Sequence, residues 1–370
     1  MILIKKIYKK NIPELFENTG FWNNEFLSIS KHRLLAHYNN PNLENDDIVL
    51  LLAYLDNELV GYMGVFIDKI TINNQEQKIG WLSTWWVHPK TKGSGIGREI
   101  LNTMYKENNG KIGISQFTQS AKRVYDKSEY FVNLKQNIGI KAVLKSNLVF
   151  LIPEIKPTLK IFKPAFALFD SILNAVINVK LYFNEKSIST ALKNIKIEYL
   201  NAIDSETRSI INKYNSNHLS EKSNDFFIWL KKYQWVQEAP LLDFTEKSRY
   251  EFSMCDESFN IYLMKIIKDN LQIGFIVLQK RNSTMKVLFA YYDKKNDSET
   301  VSNIIKLQAI KQNIQEIICY DLNICNNLEK SNIFIYNRKK IKNSIISKAF
   351  DKEKFDEIIM NYGDGDCCFA

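Results

Sequence analysis

Gly93, Gly95 and Gly97 fall within one short stretch, Lys92-Gly93-Ser94-Gly95-Ile96-Gly97, and residues of these types in this order can hold a phosphate. The stretch follows an apolar run at 82–87 that ends at Pro89, and it leads into Arg98-Glu99-Ile100-Leu101, where the apolar spacing turns helical. Glycines at a helix N-terminus tolerate positive φ and let a ligand approach the backbone, while free N–H groups and the positive helix end favour an anion. Two other phosphate motifs do not fit. A dinucleotide fingerprint needs an acidic residue roughly 20 positions on, at the end of the next strand. Here the strand at 111–117 runs into Thr118, Gln119 and Ser120. A Walker turn needs a closing Lys-Ser or Lys-Thr pair, which the stretch lacks.

The stretch resembles the signature of the GNAT acetyltransferase superfamily, Val-x-Pro followed by Arg or Gln-x-x-Gly-x-Gly or Ala. This chain has Val87-His88-Pro89 and then the glycine turn, with Lys92 in the Arg or Gln position. The resemblance implies that acetyl-CoA is the co-substrate and that its diphosphate lies on Lys92, Gly93, Ser94, Gly95, Ile96, Gly97 and Arg98. It also implies that the pantetheine joins a splayed strand at Trp85 and Val87 as a pseudo-strand, where a backbone N–H polarises the thioester carbonyl. The family pattern continues in Thr118, Ala121 and Tyr125-Asp126-Lys127, with Thr118 replacing the usual Asn and Glu129 the usual Gly. Tyr125 would then protonate the departing thiolate, and an ordinary phenol pKa of about 10 suits that donor.

The acceptor side is less legible. Direct transfer needs a neutral amine, yet the cofactor strand offers Ser83 and Thr84 and no carboxylate. Two polar clusters are candidates for binding the acceptor. One is Lys31-His32-Arg33 with Asn39-Asn40-Pro41; the other is Gly363-Asp364-Gly365-Asp366, followed by an apolar Cys367-Cys368-Phe369 that suits a tail tucked into the protein. Asp364 or Asp366 would pair with an ammonium or with sugar hydroxyls. Together these features resemble two-domain GNAT-like enzymes of bacterial surface-polysaccharide synthesis, which implies an amino sugar on a nucleotide carrier as acceptor. Rival readings are an aminoacyl or peptidyl transferase of the FemABX kind, against which the three glycines count, a longer acyl group, and a non-catalytic binding protein that kept the fold.

The elements that must position these residues read as strand, helices, three strands, helix and strand. Runs at 48–54 (IVLLLAY) and 59–67 (LVGYMGVFI) flank Asp56-Asn57-Glu58 as a hairpin, and helical spacing covers 11–18 and 24–37. The fold class is α/β (α+β), a mixed twisted sheet flanked by helices. The second half repeats the order: strands at 261–267 and 273–279 around Lys268-Asp269-Asn270, a strand at 285–292, a helix at 298–312 and a strand at 314–320. In the repeat, Asp293-Lys294-Lys295-Asn296-Asp297 stands in place of the glycine turn and Leu328 in place of Tyr125. The expected partition is a catalytic domain at 1–153, a connecting segment at 154–190 and a degenerate GNAT-like domain at 191–370.

The connecting segment carries an apolar run at 166–183 (FALFDSILNAVINVKLYF), interrupted by Asp170, Asn174, Asn178 and Lys180. It reads as an amphipathic helix packed on a domain rather than a membrane span; the flanking lysines would also suit contact with a lipid surface. Fifty Lys and Arg against 41 Asp and Glu give a net charge of +9, scattered along the chain, so an acidic small molecule is expected and no nucleic acid. Five cysteines without framework spacing imply neither disulfides nor a metal site, and the charged start MILIKKIYKK reads as a strand, so a cytoplasmic location is expected.

Overall fold

The computed structural model of the chain describes residues 2–22, 27–72, 75–233, 258–350, 355 and 357–366. Its strands are β1 (Ile2–Tyr8), β2 (Ile48–Leu55), β3 (Glu58–Ile72), β4 (Gln75–Val87), β5 (Ile112–Ile114), β6 (Phe131–Val143), β7 (Ile195–Leu200), β8 (Phe259–Lys268), β9 (Leu271–Arg281), β10 (Thr284–Tyr292), β11 (Glu316–Cys319) and β12 (Tyr336–Ser347). Two compact units divide the chain. The first comprises 1–137, 215–260 and 342–370, and the second 138–214 and 261–341. These boundaries differ from the partition at 153 and 190, because 215–260 and 342–370 count with the first unit and 138–190 with the second.

In the first unit β1, β2, β3 and β4 pair antiparallel in that order, β5 joins β4 in parallel, and β12 continues antiparallel to β5. The β2–β3 hairpin closes on Asp56 and Asn57, whose φ values of 50° and 68° make the left-handed two-residue turn that matches strand twist. The helix Ile96–Glu107 crosses from β4 to β5 and buries Ile96, Ile100, Leu101 and Met104, the i, i+4, i+5, i+8 face of its sequence. These residues join Val49, Leu51, Val60 and Met63 in one core. The helix expected over 24–37 is shorter, Lys31–Tyr38, because Ser30 caps it by accepting from the Arg33 N–H and residues 27–30 are not helical; 24–26 lie outside the described residues.

In the second unit the sheet runs β6, β11, β10, β9, β8, β7. β8 and β9 form a hairpin on Asp269 and Asn270, with φ of 48° and 66°, the same turn as in the first unit. β10 is followed by the helix Ser298–Lys311 and then by β11, parallel to β10. The expected element order of the second half is therefore present. Asp293 accepts from the N–H groups of Lys295 and Asn296, so the loop that replaces the glycine turn satisfies its own donors.

The connecting segment is helical, and it packs on its own unit along one face. A 3₁₀ turn (Pro157–Phe162) runs into the helix Lys163–Ala191, and together they are long and apolar enough, by length and composition, to cross a membrane. Only one narrow stripe faces protein: Asp170, Asn174, Ile177, Leu181 and Ile188 are buried or half-buried, while the flanking apolar residues are exposed. Asp170 and Asn174 do not interrupt the outer face, since both turn inward. Of the cysteines, Cys319 and Cys325 are buried free thiols, and Cys255, Cys367 and Cys368 lie outside the described residues, as does Phe369.

Candidate active site

The site is built on β4. Its pairing with β3 is continuous from Ile72↔Gln75 to Gly64↔Ser83 and resumes, shifted, at Tyr62↔Trp86. The extra residues form a bulge at which Thr84 takes a φ of 47°, an uncommon conformation for a β-branched side chain. Gly64 permits the bulge, since a Cβ there would meet the Thr84 hydroxyl at 2.6 Å. On the other edge, β4 pairs with β5 only at Gly80↔Ile112 and Trp81↔Gly113. From Thr84 to His88 the strand is half-buried. The two parallel strands therefore part beyond Trp81, leaving a free edge on β4 at Trp85 and Val87.

The glycine turn lies at the end of that edge. Gly93 and Gly95 have φ of 90° and 84°, and a Cβ at either would meet nothing within 4 Å. Lys92, Gly93, Ser94, Gly95 and Arg98 are exposed. Ser94 folds back on Thr91, its Oγ donating to the Thr91 carbonyl at 2.6 Å. The helix begins at Ile96 with Gly95 as its cap, and the Glu99 N–H to the Gly95 carbonyl is its first bond, so the donors before it point out of the helix end. Gly97 has a different duty: a Cβ there would lie 3.3 Å from the Trp85 ring, so glycine allows the helix to approach β4.

Tyr125 is buried on the helix Gln119–Ser128. Its ring lies against Trp85, with centroids 5.3 Å apart, and edge-on to Phe117 and Phe131. Burial, and secondarily the charge of Asp366, push its phenol well above the ordinary range. The expectation of an unperturbed phenol is thus corrected: Tyr125 holds its proton more tightly. Thr118, in the position of the family's Asn, is the N-cap of this helix and accepts from the Ala121 N–H at 3.3 Å. Ala121 is half-buried beneath it.

The C-terminal cluster separates into two parts. Asp366 accepts from the Ser115 hydroxyl, just after β5, and reaches Tyr125 electrostatically. Gly365 makes this approach feasible with φ of 77°, since a Cβ would meet Ser115 Cβ at 2.6 Å and the Trp81 ring at 3.3 Å. Asp364 turns the other way. It is fully buried, accepts from Ser220 Oγ at 2.6 Å and from the Asn361 N–H at 2.7 Å, and lies 3.8 Å from Lys222 Nζ, which itself bonds Asp68 at 2.6 Å. Burial pushes its carboxyl up.

The helix cluster also divides. Arg33 is buried and donates to Ser83 Oγ on β4 at 2.6 Å and to His37 Nε2 at 3.5 Å. His37, buried beside it, is lowered to about 3 by burial and then by the Arg33 charge. His32 is half-buried and lowered by burial, and the Lys31 ammonium lies over the Trp22 ring. Asn40 is structural in its contacts, donating to the Ile67 carbonyl at 2.7 Å and accepting from the Asn42 N–H. A cavity of about 200 Å³ opens between Pro41, Asp68, Glu221 and Lys222, and none of its lining belongs to the turn.

Sequence reasoning missed Ser115, Trp81 and His37. Ser115 and Trp81 matter only through the approach of residues 365 and 366, which nothing local in the sequence announces. The indole N–H of Trp85, half-buried on β4, has no protein acceptor.

Residues 12–127, which carry this strand edge and the exposed glycine turn, match the Acetyltransferase (GNAT) family. This segment is a GNAT-family acetyltransferase domain. No curated protein matches the chain in sequence. Among solved structures, the GCN5-related N-acetyltransferase from Kribbella flavida is 8% identical with a TM-score of 0.50, the alignment covering 93% of this chain and 71% of that one. The Saccharomyces cerevisiae N-myristoyltransferase with bound myristoyl-CoA is 6% identical with a TM-score of 0.50, covering 93% and 82%. At such identities the likeness is one of fold. The matched domain places the chain with the acyltransferases, a family that generally uses acyl-CoA.

Proposed function

We infer that the chain moves the acetyl group of acetyl-CoA to a primary amine by direct attack within a ternary complex. The observation that carries this reading is the parting of β4 from β5 beyond Trp81↔Gly113, with the glycine turn at its end and Tyr125 against Trp85. Both the space over Gly93 and Gly95 and the orphan Trp85 donor fit CoA. Lys92, Gly93, Ser94, Gly95, Ile96, Gly97 and Arg98 would hold the diphosphate, and the free edge at Trp85 and Val87 would pair with the pantetheine. Bound acetyl-CoA supplies an activated acetyl group and a thiolate leaving group.

The chain's own groups do the rest. A backbone N–H near Val87 would receive the charge that develops on the carbonyl oxygen. Tyr125, kept protonated by burial, donates toward the sulfur. Asp366 is a candidate to accept the amine's proton, because its charge acts on Tyr125 and Ser115 donates to it, whereas Asp364 is committed to Ser220 and Lys222.

For the acceptor we take a nucleotide-linked amino sugar, for which Asp366 and, on the helix Lys31–Tyr38, Lys31 and His32 are the candidate contacts; Arg33, Asn40 and Asp364 are buried in polar contacts with other parts of the chain. The second unit, with the same element order and a self-capped Asp293 loop, is read as a GNAT-like copy without a cofactor site. The test is release of free thiol from acetyl-CoA in the presence of a panel of nucleotide-linked amino sugars, with the matching hydroxy sugars as controls. Amine-dependent release supports the reading. Release with none of the amino sugars, but with peptides or aminoacyl-tRNA, would move the acceptor to the rival classes.

A further inference from the structure

We propose that the outward face of the helix Lys163–Ala191, with the neighbouring helix Leu148–Ile155, docks the protein on the surface of an anionic lipid bilayer. The argument begins with an inversion of polarity. A helix on a soluble protein turns its apolar side chains inward and its polar ones out. Here Asp170 and Asn174 face inward, and both are fully engaged. Asp170 accepts from the N–H groups of Leu148 and Val149 and from Ser146 Oγ, and Asn174 bonds the backbone of Ser146 in both directions.

What faces out is apolar. Leu168, Phe169, Ile172, Val176, Val179 and Phe183 are between 57% and 69% exposed, and Phe150, Ile155 and Ile161 extend the patch toward the shorter helix. Among the described residues no other segment exposes large apolar side chains at this density. A patch of this size on a water-facing surface marks an interaction site.

Charge and length select lipid as the occupant. Between Lys163 and Lys180 the only ionisable side chain is the inward Asp170, so an outer face roughly 25 Å long carries no charge. Lys156, Lys160 and Lys163 border one end and Lys180 and Lys186 the other, against Glu154 and Glu185. The Lys186 ammonium lies 4.4 Å over the Tyr182 ring, which pairs an aromatic ring with a cation at the edge of the apolar face, as suits headgroup depth. Basic ends around an apolar face are the arrangement of a helix lying in the interface. The inward bonds of Asp170 and Asn174 hold the helix against its own unit, so it lies on the bilayer and does not cross it.

The experiment is flotation of the full chain with phosphatidylcholine vesicles, with and without phosphatidylglycerol, beside the double variant Phe169→Asp, Ile172→Asp and the milder Val176→Ser. The expected result is binding to the anionic vesicles, reduced by salt, weakened about tenfold or more by the double variant and by less for Val176→Ser, with acetyl-CoA affinity and circular dichroism unchanged. Release of bound chain by alkaline carbonate is also expected, and retention would overturn the surface placement in favour of a span. Equal binding to neutral vesicles would overturn the charge argument. No vesicle binding, together with a dimer in solution that the double variant dissolves, would give the face to a second copy of the chain.

Discussion

Tyr125 joins an aromatic cage to a carboxylate, and both raise the cost of removing its proton. It is therefore a neutral donor at every ordinary pH, and the rate should show no alkaline fall from its ionisation. Tyr125→Phe should lower kcat by about 10² while leaving acetyl-CoA affinity within a few-fold, as read by steady-state kinetics and titration. An unchanged kcat would remove Tyr125 from the chemistry. His37 makes a prediction for stability. Its folded value of about 3 lies below the unfolded 6.5, so between these values the unfolded chain binds the extra proton and stability falls as the pH falls. Full stabilisation is present above about pH 6.5 and is lost toward pH 3, with a limiting slope of about 1.4 kcal/mol per pH unit. Denaturant midpoints of His37→Gln across that window should be flatter than those of the parent chain; parallel curves would show that His37 does not carry the dependence.

The elements differ in how openly the sequence announces them. The glycine turn, the hairpins at Asp56-Asn57 and Asp269-Asn270 and the helix Ile96–Glu107 are legible because their signals are local: φ-permissive residues at fixed offsets and a 3.6-residue apolar period. The bulge in β4 is not. Nothing around Thr84 marks a positive φ, which arises from the shifted pairing of Tyr62 with Trp86 against Gly64 with Ser83. The same holds for the buried pair Lys222–Asp68 and the approach of Gly365 to Ser115, where the partners are distant in sequence. For the connecting helix, Asp170 and Asn174 break the hydropathy of the run, and only the fold reveals that they turn inward. Gly64 tests the bulge. Gly64→Ala places a methyl 2.6 Å from the Thr84 hydroxyl, so it should cost roughly 1–3 kcal/mol and weaken acetyl-CoA binding. Denaturation and titration of the same sample check both, and loss of stability with full affinity would separate the bulge from the cofactor edge.

At the scale of the whole chain, two units share an order of strands and helices, yet they differ in the loop that precedes the helix. In the second, Asp293 occupies the equivalent N–H groups and adds a negative charge where a phosphate would have to lie. The proposed function therefore predicts one acetyl-CoA per chain. The net charge of +9 assists a polyanionic ligand through its general field, so the affinity should fall with added salt. The central claim is that the turn from Lys92 to Arg98 receives the CoA diphosphate, and calorimetric titration of the full chain and of Gly95→Phe with acetyl-CoA, CoA and NAD tests it directly. The account predicts saturable binding of acetyl-CoA and CoA at one site, no binding of NAD, and loss of CoA binding in a folded Gly95→Phe, because φ of 84° is strained for a phenylalanine and its side chain fills the space above the turn. Undiminished acetyl-CoA binding by that variant, or none by the parent chain, would contradict it.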